Sequence, residues 1–139
     1  MRLNTILLAN AAEIRDGLAY VLGGGWDTVW VAPNSPITFR GALLIRLTAE
    51  RSECGLPHQV EIFCDGEDGE RAFGPNVSVT PQIPPEYPVA WDVPLGIVVE
   101  IGGILPRYGL YSVSVLADNA FVGSVPLRAV QGPPPTARR

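Results

Sequence analysis

From Ile37 to Ala49 the chain alternates, with Ile37, Phe39, Gly41, Leu43, Ile45, Leu47 and Ala49 on one parity and Thr38, Arg40, Arg46 and Thr48 on the other. A period of two sustained over that length is the mark of a half-buried β-strand and is incompatible with a helix, whose apolar positions recur every 3.6 residues. The pattern returns in Val60, Ile62 and Cys64 against Gln59, Glu61 and Asp65. It returns again in Val93, Leu95, Ile97, Val99 and Ile101 against Pro94, Gly96 and Glu100. Near the C-terminus Tyr111, Val113 and Val115 alternate with Ser112 and Ser114, Asp118-Asn119 supplies residues that tolerate positive φ, and Phe121 to Val130 runs back as a hairpin.

The N-terminal third is less regular. Thr5 to Ala9 and Leu18 to Leu22 read as short strands about a turn at Asp16-Gly17, with Ala11 to Arg15 open to a single helical turn, and Trp26 to Val31 reads as a further strand. Gly23-Gly24-Gly25 interrupts this run and permits a bulge, or a corner where the chain leaves one sheet for another. Weaker strand character surrounds Val77 and Val79. Eight or nine short strands without a long amphipathic helix predict an all-β sandwich or barrel occupying residues 1–130. The tail from Gln131 to Arg139, with three consecutive prolines, is expected to be disordered or polyproline-like.

Gly109-Leu110-Tyr111-Ser112-Val113 opens a late strand with Gly-x-Tyr-x-apolar, which resembles the tyrosine corner of immunoglobulin-like folds. That resemblance favours a disulfide-free immunoglobulin-like or fibronectin-like sandwich, with Val113 where antibody domains carry a Cys and Tyr111 in a structural role. More broadly, Ile6 to Ala12, Asp16 to Asp27, Tyr108 to Tyr111 and Val125 to Arg128 look like a family of small uncharacterised bacterial proteins. The likeness spans about Leu3 to Val130 and implies a fold but no activity.

Composition narrows the function classes. Ten basic residues, all of them Arg, are scattered from Arg2 to Arg139 and outnumbered by 14 acidic ones, so no basic face is expected to displace counterions from a nucleic acid. No stretch approaches the roughly 20 apolar residues of a membrane helix. Arg2 and the short apolar run Ile6-Leu7-Leu8 make a poor secretory signal, so a cytoplasmic location with Cys54 and Cys64 as reduced thiols is expected.

His58, the one histidine, lies between Cys54 and Cys64, but Cys-x3-His-x5-Cys matches no recognised zinc spacing, and Cys64 shares the parity of Val60 and Ile62. No metal or cofactor is expected. With no Lys there is no Walker-type phosphate loop, and no Gly-x-Ser-x-Gly elbow is present, so no catalytic residues are assigned. Asp65, Glu67, Asp68 and Glu70 could in principle do acid-base work, yet Asp65-Gly66-Glu67-Asp68-Gly69 has the composition of a solvated hairpin tip.

Aromatic residues are the better candidates for a binding surface. Trp26 and Trp30 fall on one parity with Thr28 between them, where burial in the core competes with exposure as a reading. Tyr87 and Trp91 lie in a segment held extended by Pro81, Pro84, Pro85, Pro88 and Pro94, either as interface anchors or as a crossover covering the end of the core. The expectation is a non-catalytic module that binds a protein partner or itself, through an edge strand or the Pro81 to Pro94 segment. A structural assembly subunit, such as a virion or surface decoration protein, is the alternative.

Overall fold

Alternation becomes geometry in the computed structural model, which describes residues 1–133. Ten strands form among them: β1 (Arg2–Arg15), β2 (Leu18–Gly24), β3 (Thr28–Val31), β4 (Thr38–Ala49), β5 (His58–Gly66), β6 (Arg71–Phe73), β7 (Asn76–Val79), β8 (Val93–Ile104), β9 (Gly109–Ala117) and β10 (Ala120–Gln131). One sheet has the order β2-β1-β4-β8. The other runs β3-β10-β9-β5-β6, with β7 sharing the β6 side of β5. Every pairing is antiparallel except β3 with β10, which is parallel.

Leu43, Ile45 and Leu47 of β4, with Ile97, Val99 and Ile101 of β8, meet Val60, Ile62 and Cys64 of β5 and Tyr111, Val113 and Val115 of β9 in one buried cluster. These are the same-parity residues of each strand, so the period of two puts them on the facing sides of two sheets. Each buried Val, Leu or Ile contributes on the order of 1.5–3 kcal/mol relative to exposure. Leu44 and Ala42, on the opposite parity, are buried as well. Their cover comes from the N-terminal strand.

That strand changes partner midway. β1 pairs with β4 from Arg2 to Ala9 and with β2 from Ala9 to Arg15. Ile14 lies against the outward-facing Gly96 of β8, where an added Cβ would stand 2.8 Å from its Cδ1. The β1–β2 hairpin is therefore an arm laid back across the outer face of its own sheet. Ala11 to Arg15 is strand, correcting the helical alternative: the hydrogen bonds that β2 offers outweigh the helix preference of Ala and Glu.

The glycine run does what its sequence predicts. β2 ends at Gly24 in one sheet and β3 begins at Thr28 in the other. Gly23 and Gly25 have φ of 62° and 89°, and a Cβ on Gly24 would lie 2.7 Å from Val21 and 3.0 Å from Leu7. The strand β6 has no counterpart in the sequence reading, and β10 extends one residue past the expected boundary, to Gln131. Gly132, also in the expected disordered tail, donates its amide to the Val31 carbonyl at 3.0 Å, and residues 134–139 of that tail lie outside the described residues.

Candidate interaction surfaces

Registry decides what the arm shows to solvent. Ala12 and Ile14 pair with Val21 and Ala19, while Ala11, Glu13 and Arg15 pair with Leu22, Tyr20 and Leu18. Because directly opposed residues share a face, Ile14 and its parity face the sheet beneath, and Leu18, Tyr20 and Leu22 face outward. They are 58%, 51% and 71% exposed. Glu13 and Arg15 stand beside them and bridge to each other at 3.3 Å. Three large apolar side chains in a row on an unpaired sheet edge make an unusual surface for a protein of this size.

The Pro81 to Pro94 segment is the crossover from β7 in one sheet to β8 in the other. Its aromatics divide the work. Tyr87 is half-buried, its hydroxyl donates to the Asp92 carbonyl at 3.2 Å, and its ring takes Trp91 edge-on at 5.9 Å between centroids. Trp91 is 60% exposed and Val89 81%, so these two side chains form an apolar knob in solvent and take no part in covering the core. Arg51 Nη1 donates to the Pro88 carbonyl and Arg2 Nη1 to Asp92, both at 3.1 Å, which fixes the knob to the rest of the domain.

Trp26 and Trp30 do not form one surface. Trp26 precedes β3, so strand parity does not govern it; the ring packs on the inward side of Gly41, and its buried Nε1 has no partner among the described residues. Trp30 points out from β3, 41% exposed, while Val31 is buried and Val29 packs against the core.

His58 heads the inward parity of β5 and is buried. Its Nδ1 faces Asp118 Oδ2, and its Nε2 faces the Glu53 carbonyl at 2.7 Å. Carboxylate and carbonyl oxygens only accept, so this geometry favours the imidazolium, in which both ring nitrogens donate. The Asp118 hydrogen bond, then that of Glu53, raises the His58 pKa above its ordinary value. Asp118 is lowered by the same contact and by the Gln59 amide. Burial pushes the Cys64 thiol up to about 12, the behaviour of a core residue. No group of three His, Cys, Asp or Glu among the described residues could hold a metal ion.

Three of the four carboxylates at the β5–β6 tip are answered by Arg. Asp65 meets Arg71 at 2.9 Å, and Asp68 and Glu70 both meet Arg107. Arg107 in turn belongs to the loop that Tyr111 secures: the Tyr111 hydroxyl donates to the Arg107 carbonyl at 2.8 Å and accepts from its amide at 3.1 Å. Gly109, at φ 128°, lets the chain enter β9 at the angle this contact requires.

The sequence model of the Family of unknown function (DUF6941) matches residues 4–130. The chain belongs to that family. No curated protein and no solved structure matches it. The match begins within β1 and ends within β10, so both sheets and the arm lie inside the DUF6941 unit. No helix among the described residues of this DUF6941 domain is long and apolar enough to cross a membrane.

Of the surfaces on this DUF6941 domain, the arm was the one that sequence reasoning missed as a site. Leu18 to Leu22 reads as a strand, but apolar side chains at every position suggest a strand covered on both faces. The discriminating signal is the preceding Glu13-Ile14-Arg15, whose charges share the face of Leu18 and Tyr20 once the turn at Asp16-Gly17 sets the register.

Proposed function

We propose that this domain is a non-catalytic protein-interaction module of immunoglobulin-like type that works in the reducing cytoplasm. The observation that carries the reading is the outward row Leu18, Tyr20 and Leu22 on an unpaired strand edge. Such an edge offers main-chain donors and acceptors to an added strand, and the row offers apolar contact to its side chains. The knob of Val89 and Trp91 supplies a second apolar contact, held rigid by Tyr87. The tyrosine corner at Tyr111 supports the immunoglobulin-like assignment.

A pull-down with immobilised domain tests it. Wild type should retain a specific protein, its own copy included, and Leu22→Lys or Trp91→Ala should release it while the fold, followed by circular dichroism, is unchanged. Retention that neither substitution affects, or none at all, overturns the reading.

A further inference from the structure

We infer that the β2 edge is a homodimer interface, in which two copies pair antiparallel about a two-fold axis through Tyr20. The inference rests on the interaction-module reading and names its partner.

Three observations converge on a second copy. First, the row is palindromic. Antiparallel pairing centred on Tyr20 sets Tyr20 against its own copy, Leu18 against Leu22, Leu22 against Leu18 and Ala19 against Val21, so every side chain of the edge meets an apolar one. A two-fold interface requires this self-complementarity, whereas a heterologous strand does not. Shifting the centre to Ala19 places Leu22 opposite Asp16 in the turn, and shifting it to Val21 places Leu18 opposite Gly24. The full row pairs in the Tyr20 register.

Second, the other edges are protected and this one is not. β3, β6 and β7 are four, three and four residues long, and β8 carries Pro94, Glu100 and the glycine pair Gly102-Gly103 just before its last residue, Ile104. Short length, proline and charge are the usual means of keeping a sheet edge from adding a strand. Among the described edge strands, β2 alone combines seven residues with no charge and no proline. Third, beyond Ala9 the arm is a ribbon of only two strands, packed on its own sheet by one face while the face that carries Leu18, Tyr20 and Leu22 has no cover. Joining two arms makes a four-stranded layer in the order β1-β2-β2-β1, with the apolar row at its centre and Glu13 and Arg15 at its margins.

Light scattering coupled to size-exclusion chromatography over a concentration series, together with single cysteines in a Cys54→Ser background, tests the interface and its register. Wild type should dimerise with rising concentration. Tyr20→Lys, which opposes two ammonium groups across the axis, should weaken that by on the order of tenfold or more without changing the circular dichroism spectrum. On oxidation Tyr20→Cys should give a covalent dimer by itself. Leu18→Cys and Leu22→Cys should cross-link when mixed and far less when alone. A wild type that stays monomeric at every concentration overturns the inference, as does a dimer that Tyr20→Lys leaves intact or one in which Leu22→Cys self-links and Tyr20→Cys does not. A monomer that still retains a different protein in a Leu22-dependent pull-down would sink the homodimer alone and leave the interaction-module reading standing.

Discussion

The Nδ1 of His58 is hydrogen-bonded to the carboxylate of Asp118, tying the first residue of β5 to the turn between β9 and β10. Asp118 and Asn119 both have positive φ, 48° and 67°, as a two-residue hairpin turn of this kind demands. The other oxygen of Asp118 accepts the Gln59 amide at 3.0 Å, so one side chain fastens the turn to two successive residues of β5.

Stability should fall on both sides of mildly acidic pH. A raised His58 pKa contributes stability that is complete below its ordinary 6.5 and is lost as pH rises through the folded value. Asp118 and Glu53, both lowered, contribute above their ordinary 3.8 and 4.5 and lose that contribution as pH falls. Thermal unfolding should therefore peak between about pH 4.5 and 6.5. His58→Gln should flatten the alkaline limb and cost about 1–3 kcal/mol at pH 5.5. An alkaline limb unchanged in His58→Gln would assign the titration to another group.

Tyr111→Phe should destabilise the domain by about 1–3 kcal/mol, because the Arg107 amide and carbonyl lose a buried hydroxyl partner while the ring still fills its place. In urea the midpoint should drop with the slope unchanged, since the surface exposed on unfolding is the same.

Gly41→Ala should cost about 1–3 kcal/mol through overpacking. The new Cβ would lie 2.7 Å from the Ala9 carbonyl oxygen and 2.7 Å from Trp26 Cζ2. The Trp ring can shift, but the strand carbonyl cannot without disturbing β1. Equilibrium unfolding of the single variant measures this directly.

Trp91→Ala should move the unfolding free energy by less than about 1 kcal/mol, as suits an exposed ring whose main contact is one edge-on aromatic pair. Tyr87→Ala should cost more, because Tyr87 is the half-buried member and holds the Asp92 carbonyl. The order of the two thermal midpoints checks the assignment of knob and support.

The strands that alternate are the ones the amino-acid sequence makes plain. β4, β5, β8 and the β9–β10 hairpin each put one parity in the core, and their registers follow from that burial. β6 is three residues, Arg71-Ala72-Phe73, too short to carry a period. The second half of β1 reads as helix or strand until β2 supplies its hydrogen bonds. Trp26 misleads because it lies outside β3, where the parity of Thr28 and Trp30 no longer holds. As for the site, Tyr87 and Trp91 are marked by the prolines around them, whereas exposure of the Leu18 to Leu22 row depends on the arm folding back over β8, a contact no local pattern encodes.

The parallel pairing of β3 with β10 joins parts of the chain that are far apart in sequence: Arg128 Nη1 reaches Asp27 at 2.7 Å across 101 residues. Closing so long a loop is entropically costly and yields only a four-residue ladder, so this edge gains little until β9 and β10 are already docked. Of all the strand pairings it is the one expected to form late in folding and open early in unfolding. Hydrogen exchange should find the Thr28–Val31 amides the least protected of the six-stranded sheet, ahead of any loss from β5 or β9.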